Sequence, residues 1–299
     1  PYVALLVFVA FIAGLFLVGN EDFVGDARAT RSLRAPFERA PRIIVPTTCP
    51  VGSIEITQQD IDRTIQNPNN HGYMITQPGY YCLRENIAVE GNALNIQGRG
   101  GLRVITIQSS KTTLDLNGNS IINIQGSPAL AGNSGYFFQA ISLWNPGQRP
   151  KQITVKNGLI QGFDGGISAA STGGFADITV ERITFKKNYY SLFIHETNKV
   201  LVKDNIIENT NLGINIAARV MGDSSDIVVE NNIFTEASRA IVIRLSLGVT
   251  VQMNKATGLN QISQMLNLVD VSDVRLNNNI ISNYPEGFLA SGNTVGSYS

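Results

Sequence analysis

His195 and Glu196 stand side by side, and Arg219 and Arg244 follow at distances that a repeating fold can bring to one edge. An imidazole, a carboxylate and two guanidiniums form the best candidate constellation for chemistry in the sequence. Histidine titrates near neutrality, and arginine holds an anionic group in a fixed fork. His71, the other histidine, lies in the Asn-rich run NPNNHGY and reads as exposed. Glycoside hydrolysis needs two carboxyl groups about 5–10 Å apart, and the sequence offers no such pair on one face.

Other chemistries lack their residues. Cys49 and Cys82 are the only cysteines, with no CxxC or Cys/His spacing for zinc. Two readings stay open for them, a disulfide or two buried thiols. Asp177, Asp226 and Asp273 recur one per unit and read as turn residues, too far apart to ligate one calcium ion. No metal or cofactor is expected. Lys+Arg and Asp+Glu both number 23, a balance that excludes a nucleic-acid binder. With 43% hydrophobic and 15% charged residues, much of the chain must be packed.

The elements that position these residues repeat. The phrase IVVENNIF (227–234) recurs as VLVKDNII (200–207) and VRLNNNII (274–281). Its copies start at Ile153, Ile178, Val200, Ile227, Val249 and Val274, spaced 25, 22, 27, 22 and 25 residues apart. The third position is aliphatic in every copy: Val155, Val180, Val202, Val229, Val251 and Leu276. The sixth is Asn205, Asn232, Asn254 and Asn279 in four successive copies, and LDLNGNSI adds Asn119. A second short apolar run follows in each unit, as in LFI (192–194) and AIVI (240–243). Units this small cannot bury their apolar faces alone, so they must stack as coils of an all-β parallel β-helix. The asparagines read as corner residues in left-handed backbone whose amides bond along the stack. The fourth position alternates in sign (Lys156, Glu181, Lys203, Glu230) and reads as a ladder of surface ion pairs.

Residues 2–19, YVALLVFVAFIAGLFLVG, are uncharged and as a helix rise about 27 Å, near the thickness of a bilayer core. The expected order is therefore a transmembrane helix anchor over 1–19 and an Arg/Pro-containing linker over 20–48. An N-terminal cap with the first coils then fills 49–110, and β-helix coils fill 111–299. Arg28, Arg31 and Arg34 follow the anchor, which by the positive-inside rule puts the coils on the cytosolic side. The low cysteine count agrees with that placement. Tyr136, Phe137, Phe138 and Trp144 lengthen one coil and read as a packed side wall or a docking surface.

Over residues 50–295 the chain resembles the right-handed parallel β-helix proteins of the pectin-lyase-like class, most specifically at ITQPGYYCLRENI (75–87) and TTLDLNGNSI (112–121). The resemblance implies the fold, which serves many functions. It would also imply catalytic sets: calcium-binding carboxylates with a basic arginine in pectate lyases, or an Asn-Thr-Asp, an Asp pair and a Gly-His-Gly in polygalacturonases. None occurs here. The quartet of His195, Glu196, Arg219 and Arg244 accordingly reads as solvated surface, and no catalytic residue is assigned. The expectation is a non-catalytic, membrane-anchored rod linking neighbouring proteins to a lipid membrane, similar in kind to minor capsid proteins of large icosahedral DNA viruses. The alternative is a carbohydrate-active enzyme or glycan-binding protein, with Tyr189, Tyr190 or the 136–144 loop against the glycan.

Overall fold

The computed structural model describes residues 48–65, 72–90, 102–127, 129, 138–145, 150–169, 175–220, 223–258, 264–292 and 294–298. Their strands all pair in parallel and stack into three faces of a β-helix. Face A holds the phrase strands, including Thr197–Lys203, Ser224–Glu230 and Ser246–Gln252. On it Val155, Val180, Val202, Val229, Val251 and Leu276 pair in one column. Every valine in that column is fully or almost fully buried. Burying a side chain of this kind stabilises the coil by about 1.5–3 kcal/mol, so the column and its neighbours drive the stacking.

Face B runs through strands such as Ser120–Asn123 and Lys255–Thr257. Face C runs through Arg103–Ile107, Gln139–Leu143, Gly165–Ala169 and Tyr190–His195. It continues in the second halves of Ile206–Ala217 and Ile233–Arg244, and ends with Gln264–Val269 and Glu286–Ser291.

The corner between A and B departs from the sequence reading in one respect. Left-handed backbone falls on the fifth residue of the phrase, at Asn157, Arg182, Asp204, Asn231, Met253 and Asn278. The sixth residue is free of that strain and turns its amide inward. Asn205 donates from both its backbone N and its Nδ2 to Asn232 Oδ1, each at 3.0 Å. Asn232 does the same to Asn254, and Asn254 to Asn279. Each Nδ2 also reaches the carbonyl of a valine on the preceding coil, Val180, Val202, Val229 or Val251. The buried amides are thereby satisfied. Asn119 stands apart from this run and donates to Leu83 O at 2.8 Å. Gly158 holds the same corner one coil after Asn119; a Cβ there would lie 2.4 Å from Leu116 Cβ, so only glycine lets the coils approach.

Among the described residues the one helix is α1, Gln58–Ile65, which buries Ile61. Thr57 and Asp60 close its start as a capping box: Thr57 N and Oγ1 donate to Asp60 Oδ2, and Asp60 N donates to Thr57 Oγ1. The Gln58 amide bonds both the N–H and the carbonyl of Ala88, covering backbone groups of strand Ile87–Val89. Cys49 and Cys82 form a disulfide that ties the start of the described chain to a face A strand. Disulfides persist in oxidising compartments, which corrects the cytosolic placement.

The expected membrane-spanning helix is likewise not part of the fold described. Among the described residues no helix is long and apolar enough to cross a membrane. Residues 2–19 and the basic Arg28, Arg31 and Arg34 lie outside the described residues.

Candidate functional site

Face C carries an aromatic strip ending at the imidazole. Tyr189 and Tyr190 meet edge to face with centroids 4.7 Å apart. Tyr190 lies 5.7 Å from Phe193, and Phe193 stacks on His195 at 6.0 Å and 20°. Strand alternation explains part of this order: in Tyr190–His195, Leu192 and Ile194 enter the core while Phe193 and His195 face away. Burial raises the Tyr190 hydroxyl above its ordinary pKa, the neighbouring Tyr189 adds to the shift, and Arg239 and Arg244 oppose it. Arg239 shares the Tyr190 column through Leu212, two coils away.

At the end of the strip His195 Nδ1 lies 3.8 Å from Glu196 Oε1, and Arg219 Nε lies 3.0 Å from the same oxygen. The Glu196 side chain is only 13% exposed and that of His195 24%. This corrects the solvated-surface reading for these two: the corner between faces C and A half encloses them, while Arg219 and Arg244 stay exposed. Arg244 shares the His195 column through Ala217, two coils or roughly 10 Å away. Histidine, carboxylate and arginine in direct sequence can accept or deliver a proton and hold an anion.

Along the outer column of face C run Thr106, Ser142, Ser168, Phe193, Asn215, Val242, Asn267 and Leu289, each paired with the next. Ser168 Oγ, Asn215 Oδ1 and Asn267 Oδ1 are buried without a hydrogen-bond partner, as is Gln139 Oε1 nearby. Sequence reasoning missed this column, because it is visible only once the register is known.

The remaining expected positions fall elsewhere. Phe138 is in the core, 4.9 Å from Phe163, which removes it from any docking surface. Its backbone N–H, with Ser127 Oγ and Ala129 N, bonds the fully buried Asp164 carboxylate. Trp144 is half-buried with the Arg103 guanidinium 4.9 Å above its ring. Tyr136, Phe137 and His71 lie outside the described residues.

On face A, Asp115 accepts from Tyr80 Oη, Asn117 N and Asn157 Nδ2, with Lys156 Nζ at 3.7 Å. Burial, and then the bond to Asp115 and its charge, push Tyr80 up to about 12. This cluster is saturated and braces the first coils. Lys203 pairs with Glu181 at 3.4 Å farther along the same face. No group of three or more His, Cys, Asp or Glu that could hold a metal ion occurs among the described residues.

Residues 165–297 match the family model described as the right handed beta helix region. No curated protein matches the chain. Among solved structures it is similar to the enzymatically active domain of tailspike protein 2 of bacteriophage CBA120, at 12% identity and a TM-score of 0.42. That match covers 83% of this chain and 47% of the tailspike domain, so the chain spans about half of that domain's length. It is also similar to two mannuronan C-5 epimerase A-modules of Azotobacter vinelandii. One has 11% identity, covers 82% of this chain and 89% of the module, and gives a TM-score of 0.37. The other has 14% identity, covers 74% and 71%, and gives 0.34.

The non-catalytic, membrane-linked capsid role expected above is corrected by the structure. Among the described residues no helix is long and apolar enough to cross a bilayer, and the supposed surface quartet contains a half-enclosed acid–base cluster.

Proposed function

We propose that the chain is a carbohydrate-active β-helix that holds a polysaccharide against face C and transfers a proton there through His195. The observation that carries this reading is the unbroken strip of rings from Tyr189 to His195, with Arg239 and Arg244 two coils on in the columns of Tyr190 and His195. Aromatic faces bind the apolar C–H faces of sugars, and arginine forks bind carboxylates, so an acidic polysaccharide suits the strip best.

One base and a cation suffice for proton abstraction next to a sugar carboxylate, because the carboxylate acidifies the neighbouring C–H. Two-carboxylate hydrolysis is less well supported. The carboxylate in the place of Glu196 on a later coil is Asp270, three coils on and roughly 14 Å away. That exceeds the separation such pairs use.

The test uses hexamers of β-1,4-linked glucuronate and α-1,4-linked galacturonate in calorimetry and in an assay for unsaturated or epimerised products. The Tyr190→Ala variant should bind about tenfold more weakly, ~1.4 kcal/mol. His195→Ala should keep binding and lose about 100-fold or more in turnover. Failure of both hexamers to bind would overturn the proposal.

A further inference from the structure

The two ends of the β-helix are finished differently. At the first coils α1 packs over the ends of the core columns, and Ile56, Ile61, Ile75 and Ile87 are all fully buried. Gln58 also occupies the backbone of Ala88 there. At the last coil the core columns run out uncovered. Phe234 and Ala256 are fully buried, yet the next residue of their column, Ile281, is 41% exposed. The buried Ile241 and Leu266 give way to Phe288, again 41% exposed, and Ile243 and Leu268 give way to an exposed Ala290. These side chains occupy core positions with no further coil on them among the described residues. The strands that carry or flank them, Ile280–Ser282, Glu286–Ser291 and Gly296–Tyr298, pair on one side only among the described residues. Lysine or proline commonly guards such an edge. From residue 278 to 298 the single charged side chain is Glu286, which accepts a hydrogen bond from Gln264 Nε2, and Pro285 lies outside the strands.

We propose that this end is closed by the same end of a second copy of the chain, across a twofold axis perpendicular to the coil axis. Strand edges are closed by strands, and α1 with Gln58 covers the first coils, which blocks a head-to-tail stack. The last coil is self-complementary instead. A twofold turn reverses every strand, so the two edges meet antiparallel. An axis through the middle of face C sets Glu286–Ser291 against its own copy and Ile280–Ser282 against Gly296–Tyr298. The first pairing matches six residues with six, and the second matches three with three. Centred on Leu289, it keeps the alternating faces in register and puts Phe288 of one copy beside Ala290 of the other, a ring against a methyl group. Glu286 then falls past the paired stretch, away from its own copy. With strands rising about 3.3 Å per residue, a coil end and its side chains cover roughly 600 Å². Two such ends bury about 1,200 Å², the size at which specific interfaces begin.

Sedimentation of the whole chain should show a concentration-dependent dimer. Phe288→Lys places an ammonium group from each copy in the apolar interface and should weaken the dimer about 100-fold or more. Ile54→Lys, at an exposed position of the capped end, should leave it intact. Leu289→Cys sits on the axis with its own copy about 5 Å away, so mild oxidation should cross-link the two copies through it. Ile54→Cys should give no such cross-link. A single copy at every concentration, a dimer that survives Phe288→Lys, or the lack of a cross-link through Leu289→Cys overturns the proposal.

Discussion

Two columns of asparagine climb the same coils and meet opposite fates. In the column at the corner of faces A and B, Asn205, Asn232, Asn254 and Asn279 occupy successive rungs, and each amide finds its neighbour at 3.0 Å. In the column on face C, Asn215 and Asn267 occupy alternate rungs, and each keeps a buried oxygen unbonded. The side chain is the same; only the spacing differs. Successive placement closes the hydrogen bonds within the protein and makes a strut. Alternate placement denies the face C oxygens that closure and leaves them buried and unpaired.

The largest expected effect separates the columns by stability. Asn232→Ala strips the partner from Asn205 N and Nδ2 and from Val202 O, and should cost roughly 3 kcal/mol in chemical denaturation. Asn215→Ala removes an amide whose Oδ1 accepts no hydrogen bond, and its stability should stay within about 0.5 kcal/mol of the parent. Equal losses at the two sites would erase the distinction.

The smallest effect concerns acid. Amides do not titrate, so neither column responds to pH, whereas the cap does. The Thr57 hydroxyl holds Asp60 below its ordinary carboxylate value; burial opposes it, and the Thr57 N–H and Arg63 assist. With its folded value depressed, Asp60 contributes stability above the ordinary carboxylate range and loses it as pH falls through the folded value. A slight drop in melting temperature below about pH 4 should therefore disappear in Asp60→Asn. A pH response that followed Asn232 instead would contradict the assignment.

The strut was legible in sequence because its asparagines recur at one place in a repeated phrase. Which residue of the corner takes left-handed backbone was not. Position five bears it whether it is Asp204, Asn231 or Met253, so residue type hides the pattern. The outer column of face C was illegible for a related reason. Serine, phenylalanine, asparagine and valine share no letter, coils vary between 22 and 27 residues, and only pairing register aligns them. His195, Glu196 and Arg219 were recognisable as reactive types, yet their enclosure depends on how the corner of faces C and A folds over them. Phe138 decides between the two readings of its aromatic run at that one position, since the ring packs into the core beside Phe163 and not on a docking surface.

The most direct measurement is a titration of the whole chain with the β-1,4-linked glucuronate hexamer, followed through its side-chain NMR signals. The Tyr190 and His195 ring signals should move and saturate together while the amide signals of Asn232 and Asn254 hold still. Movement of all four alike, or of none while the hexamer binds, would contradict the division between the strut and the aromatic strip.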